Sequence, residues 1–162
     1  YSAEKMPAFR MKYSLRSYSP FSYEKIEFDK IINTVSPSFG KIFNESANAE
    51  KRGLREIAGV GYRKAIEFLI KDYCILSNAG EEIRIKGMAL AQCIAEFVDH
   101  DSIKVCAERA VWIGNDETHY VRLWEDKDIE NMKELIEMMI NWILLDMRTK
   151  HYKADMISKK RK

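Results

Sequence analysis

The 162-residue chain is short of several things, and each shortage excludes a class of protein. It has three cysteines, Cys74, Cys93 and Cys106, widely spaced and without a C-x-x-C pair. That arithmetic excludes a disulfide framework and a cysteine-based zinc site. Each cysteine sits among apolar residues, so the expectation is buried free thiols in a reducing compartment, the cytoplasm. No apolar run approaches the ~18 residues of a membrane span, and no secretory signal leads the chain. The expected relation to membranes is therefore none. There is no P-loop, no G-x-G-x-x-G, no G-x-S-x-G and no H-E-x-x-H. His100, His119 and His151 lie too far apart for ligand spacing, so neither a metal nor a cofactor is expected. Sustained period-two alternation is missing as well, which argues against a sheet. The chain opens on Tyr1 rather than Met, and the expectation is that it is part of a longer protein.

What is present is an ordinary globular composition, 46% hydrophobic and 32% charged, with a net charge of +2. The charge is uneven. Residues 148–162 hold seven Lys and Arg against Asp155, a net +6, which leaves −4 for the other 147 residues. An acidic body with a basic tail does not present the broad basic face of a nucleic-acid binder. The tail, 158–162, reads as a solvated terminus.

Residues 1–35 read as an irregular arm, in which Tyr13, Tyr18, Phe21, Tyr23 and Phe28 mix with Pro7 and Pro20. The helical domain spans 36–157. Ser36-Pro37 reads as a helix start, with Phe39, Ile42, Phe43 and Ala47 following at helical spacing. A second apolar stripe runs from Leu54 to Leu76 and ends at Asn78-Ala79-Gly80, while Gly59 and Gly61 within it predict a bend or a close helix approach. A third helix is expected over Gly87 to Val98 with Met88, Ala91, Ala95 and Val98 inward. A fourth, capped by Asp101, is expected to stop at Gly114-Asn115. The last opens near Asp126 or Asp128 and carries Ile129, Met132, Ile136, Ile140, Ile143 and Met147 inward. The expected fold is all-α: an up-and-down bundle of about five helices with an irregular N-terminal arm. Met138, Met139, Trp142, Leu144 and Leu145 widen the apolar arc of the last helix, which predicts a second partner surface and a homodimer.

Two segments carry candidate chemistry. In Arg109 to His119, polar Asn115, Asp116, Glu117, Thr118 and His119 crowd behind Gly114. The plain account is a helix stop, with Gly114 left-handed and Asn115 or Asp116 capping the next turn. The functional account is a pocket where His119 exchanges protons and Asn115 or Arg109 binds an anion. In Tyr62 to Phe68, Arg63 and Glu67 are one turn apart among apolar neighbours, as an ion pair or a pocket wall.

At these segments, Arg63-Lys64-Ala65-Ile66-Glu67 and Gly114-Asn115-Asp116-Glu117-Thr118-His119, the sequence resembles a bacterial domain-of-unknown-function family, the one numbered 4145. The resemblance covers roughly residues 36–145. That family is grouped with the helical HEPN superfamily, whose members often dimerise and some of which are metal-independent ribonucleases. The resemblance also implies a zinc ribbon or nuclease domain beside this one. Catalytic members resemble R-N-x-x-x-H. Here Asn115 and His119 match the Asn and His, and Gly114 stands in place of the Arg. The resemblance thus implies a non-catalytic HEPN-like interaction and dimerisation domain, with bacterial defence or RNA as its setting and RNA or a protein as its partner. The alternative is a ribonuclease with His119 as general acid/base and Arg109, Arg122 or Arg63 stabilising the phosphorane; Arg63, Glu67, Asp116 and Arg122 would bind. A third reading is small-ligand or nucleotide binding in the same groove. Contact between the two motifs predicts that the turn after Gly114 packs over the Arg63–Glu67 helix.

Overall fold

A computed structural model describes residues 25–156. Seven helices follow in order: α1 Lys30–Val35, α2 Phe39–Lys51, α3 Arg55–Ser77, α4 Glu82–Gly87, α5 Leu90–Phe97, α6 Asp101–Asp116 and α7 Ile129–Asp155. Among the described residues there is no strand. The protein is all-α. Five helices have eight or more residues, and α1 and α4 add six residues each. None is long and apolar enough to cross a membrane.

The core explains the arrangement. Helix α3 is the central element and touches every other helix. Ala58, Tyr62, Ala65, Ile66, Leu69, Ile70 and Cys74 are its buried positions. They spread over more than one face, as a helix with neighbours on several sides requires. Helices α2 and α3 form one hairpin, turned by Gly53 at a φ of 76°. Helices α6 and α7 form the other. Phe39, Phe43 and Tyr62 join the hairpin to Phe28 through edge-on ring contacts. Cys74, Cys93 and Cys106 are buried and free.

Several boundaries differ from expectation, each for a local reason. Ser36 does not cap α2; it closes α1 by donating its N–H to the Ile32 carbonyl. Its hydroxyl is taken by Asp72 at 2.5 Å, so α2 begins at Phe39 instead. Helix α1 lies inside the stretch expected to be an arm and buries Ile32 and Val35. The helix expected over Gly87 to Val98 divides into α4 and α5, with Met88 extended between them. Leu90, Cys93, Ile94 and Phe97 face the core, whereas Ala91 and Ala95 are exposed. The aromatics before residue 25 and the 158–162 tail lie outside the described residues.

Gly114 is not a turn. It sits within α6, and the described glycines with positive φ are Gly53 and Gly80 alone. Its role is closeness: a Cβ there would stand 2.9 Å from Cβ and Cγ of Arg63. A methyl group would therefore push α6 off α3. Gly59 and Gly61 do the same work, as a Cβ would meet Cγ of Glu117 at 2.9 Å or Oγ of Ser46 at 2.2 Å. The close approach expected of these two is present.

The surplus apolar residues of α7 are mostly absorbed within the chain. Met139 is buried, and Trp142 and Leu144 pack against the core. Met138 and Leu145 remain exposed.

Candidate functional site

The crossing of α3 and α6 brings the two sequence segments together. Arg63 projects from α3 beside Gly114, and its Nε donates to Oδ1 of Asn115 at 2.8 Å. Its Nη1 lies 3.5 Å from Oε2 of Glu67. Glu67 is held more closely by Lys71, at 2.9 Å. Lys71 also donates to the Met88 carbonyl at 2.9 Å, fixing the link between α4 and α5. The sequence reading missed Lys71, although its i, i+4 spacing from Glu67 was a legible signal.

Arg63, Glu67, Asn115 and His119 line one open depression of about 630 Å³, with Val60, Lys64, Phe68 and Thr118. His119 is exposed, and its ring has no hydrogen-bond partner among the described residues. The Glu67 and Arg63 side chains keep 35% and 28% of their surface, so the network is half-buried.

The remaining candidates go elsewhere. Arg109 stands over the Trp112 ring, 5.6 Å from its centroid, and lines a different pocket. Asp116 is buried; its Oδ2 accepts the N–H groups of Leu123 at 2.8 Å and Trp124 at 2.6 Å. Arg122 donates to Oε1 of Glu117 at 3.0 Å and to the Lys127 carbonyl at 2.5 Å. Burial pushes the Glu117 carboxyl above its ordinary value, against the opposing charge of Arg122. Asp116, Glu117 and Arg122 therefore brace the 117–128 connection.

Braced at its base, that connection exposes apolar side chains at its tip. Tyr120, Val121 and Leu123 are largely open to solvent. The outer face of α3 continues the pattern. Ile57, Val60 and Phe68 are exposed and share one side of the helix by their spacing. Glu56 and Lys64, one turn to either side of Val60, have no ion-pair partner among the described residues.

One partly buried polar cluster had no counterpart in the sequence pattern. The Tyr62 hydroxyl donates to Oε2 of Glu50 at 2.7 Å, and Lys133 reaches Oε1 of Glu50 at 3.1 Å. Burial alone would raise the Glu50 carboxyl, yet bonds from Tyr62 and Lys133 hold it below 4.5. Its members come from α2, α3 and α7, so no local pattern could reveal it. Among the described residues no group of His, Cys, Asp and Glu is placed to hold a metal ion.

Comparison with family models, curated proteins and solved structures gave no match.

Proposed function

We propose that this chain is a non-catalytic helical interaction domain that self-associates through the outer face of α3. The observation that carries the reading is the exposed stripe of Ile57, Val60 and Phe68 with Glu56 and Lys64 flanking Val60. A two-fold interface uses the same patch twice and must be complementary to itself. If two α3 helices cross antiparallel about Val60, Lys64 of one copy faces Glu56 of the other. Val60 then meets its counterpart at the centre, and the Tyr120–Val121 tip borders the contact. The HEPN-like resemblance is part of this proposal, supported by the meeting of Arg63 and Glu67 with Asn115 and His119. The buried free thiols fit a cytoplasmic setting.

Chemistry at the depression is the second reading, favoured by the gathering of His119, Asn115 and Arg63 on one wall. Two facts weigh against it. Arg63 is committed to Asn115 and Glu67, and Arg109 belongs to another pocket.

Sedimentation velocity tests the first reading. The wild type is expected to be dimeric at high micromolar concentration. Lys64→Glu should give monomer, and the charge-swapped double variant Glu56→Lys/Lys64→Glu should restore the dimer. Wild-type monomer, or a dimer indifferent to Lys64→Glu, would overturn it. Incubation with labelled RNA in EDTA tests the second: cleavage abolished by His119→Ala would establish an enzyme.

A further inference from the structure

On the far side of α6 from the α3 crossing lies the pocket that Arg109 lines, of about 400 Å³. Its walls come from α6, the 117–128 connection and α7. Trp112 and Trp124 stand nearly parallel, 3° apart in plane with centroids 5.9 Å apart. That is an offset stack, which leaves part of each indole face uncovered. The two rings stay 43% and 41% exposed, although tryptophan has a large apolar surface to hide. Neither is a loose end. Trp112 is carried on α6, and the Trp124 backbone is pinned by Asp116.

Two opposite charges line the same pocket without touching. Arg109 lies against Trp112 and spends one bond on the Val105 carbonyl at 3.2 Å. It forms no ion pair among the described residues. Glu134, on α7, has no partner among them either. Asn131 sits one turn before Glu134. Its Oδ1 accepts the Asp128 N–H, so its amide N–H groups are left to donate. Lys127 is already matched by Asp126 at 3.0 Å. The pocket is therefore close to charge-neutral: one open cation, one open anion and an aromatic wall.

That combination selects its ligand. A phosphorylated compound would bring a dianion to a site where Glu134 and Asp126 cancel the positive charge. A purely apolar compound would leave Arg109 and Glu134 unanswered. A simple organic cation would meet Arg109 on the very ring it needs. A zwitterion with a flat aromatic group answers all three features. We propose that this pocket binds a free aromatic amino acid. Its ring extends the Trp112–Trp124 stack, its carboxylate accepts from Arg109 and Asn131, and its ammonium donates to Glu134. A free aromatic amino acid carries both charges and the ring in one small molecule. A peptide end offers only one of them, so the free amino acid is the source that fits.

Isothermal titration of the full chain with L-tryptophan, L-tyrosine and L-phenylalanine tests this directly. Saturable binding is expected for at least one of them. L-leucine, which lacks the ring, should give none. Tryptamine lacks the carboxylate and indole-3-propionate lacks the ammonium, so each should bind about tenfold more weakly or worse, the loss of one charge-assisted hydrogen bond. Trp124→Leu, Arg109→Gln and Glu134→Gln should each lower affinity to a similar degree; all three positions are exposed, and circular dichroism checks the fold of each variant. No saturable heat with any aromatic amino acid up to about 10 mM would overturn the proposal. So would tryptamine binding as well as tryptophan, or affinity indifferent to all three substitutions. GMP binding at this site more tightly than any amino acid would replace the zwitterion with a nucleotide and likewise overturn it.

Discussion

At the scale of single residues, the absence of a side chain decides as much as its presence. Gly61 faces Ser46, whose hydroxyl is committed to the Ile42 carbonyl at 2.8 Å and cannot easily swing away. Gly61→Ala should therefore cost about 1–3 kcal/mol by overpacking the α2–α3 seam. Gly87→Ala is the matched control, since a Cβ there meets nothing within 4 Å. It should be neutral or stabilise by up to about 1 kcal/mol through the unfolded chain. Thermal melts of the two variants check the contrast. Glu67 belongs at this scale too. A large loss on its removal would require full burial, and its side chain is 35% exposed. Glu67→Ala should cost only about 1 kcal/mol, because Lys71 keeps its bond to the Met88 carbonyl and Arg63 its bond to Asn115.

At the scale of elements, the long helices were legible and their ends were not. The apolar stripe from Leu54 onward marks α3, and the Asp128 cap before Ile129 marks α7. Their periodicity lasts for several turns, and burial of one face sustains it. Boundaries failed where a tertiary partner outbid a local rule. Ser36 followed Asp72 instead of capping, and Gly114 made a crossing instead of a stop. That the segment after Gly114 lies over the Arg63–Glu67 helix was an expectation from the family resemblance, which pairs the two motifs; the Arg63–Asn115 bond itself was not foreseen. Nor could the Arg109 pocket be, because it depends on the ring orientation of two tryptophans twelve residues apart. The 117–128 connection shows how an irregular segment is held. Asp116→Ala would strand the N–H groups of Leu123 and Trp124 and cost about 1–3 kcal/mol. Hydrogen exchange should speed up across 117–128 while the α2–α3 hairpin keeps its protection.

At the scale of the whole molecule, the Glu50–Tyr62–Lys133 cluster ties α2, α3 and α7 together and makes stability depend on pH from both sides. Glu50 titrates below its ordinary 4.5 in the folded protein, because the bonds from Tyr62 and Lys133 outweigh the opposing effect of burial. The stability it contributes is present above pH 4.5 and is lost as the pH falls through the lowered folded value. Tyr62 runs the other way: burial, then the bond to Glu50, raises its hydroxyl above 10. Lys133 is also raised above 10.5, since its bonds to Glu130 and Glu50 outweigh burial. Their contributions are complete below those values and fade as the pH climbs through the folded ones. Glu117 opposes Glu50. Its carboxyl is raised by burial, so ionising it costs stability and acid relieves that cost. The expected urea midpoint is therefore flat from about pH 6 to 9 and falls on either side, with the acid limb softened by Glu117. Glu50→Gln removes the carboxylate but keeps an acceptor for Tyr62. It should lower the plateau and flatten the acid limb, and Glu117→Gln should leave that limb steeper. An acid limb unchanged by Glu50→Gln would show that other carboxylates govern the response and that the cluster is merely a passive contact.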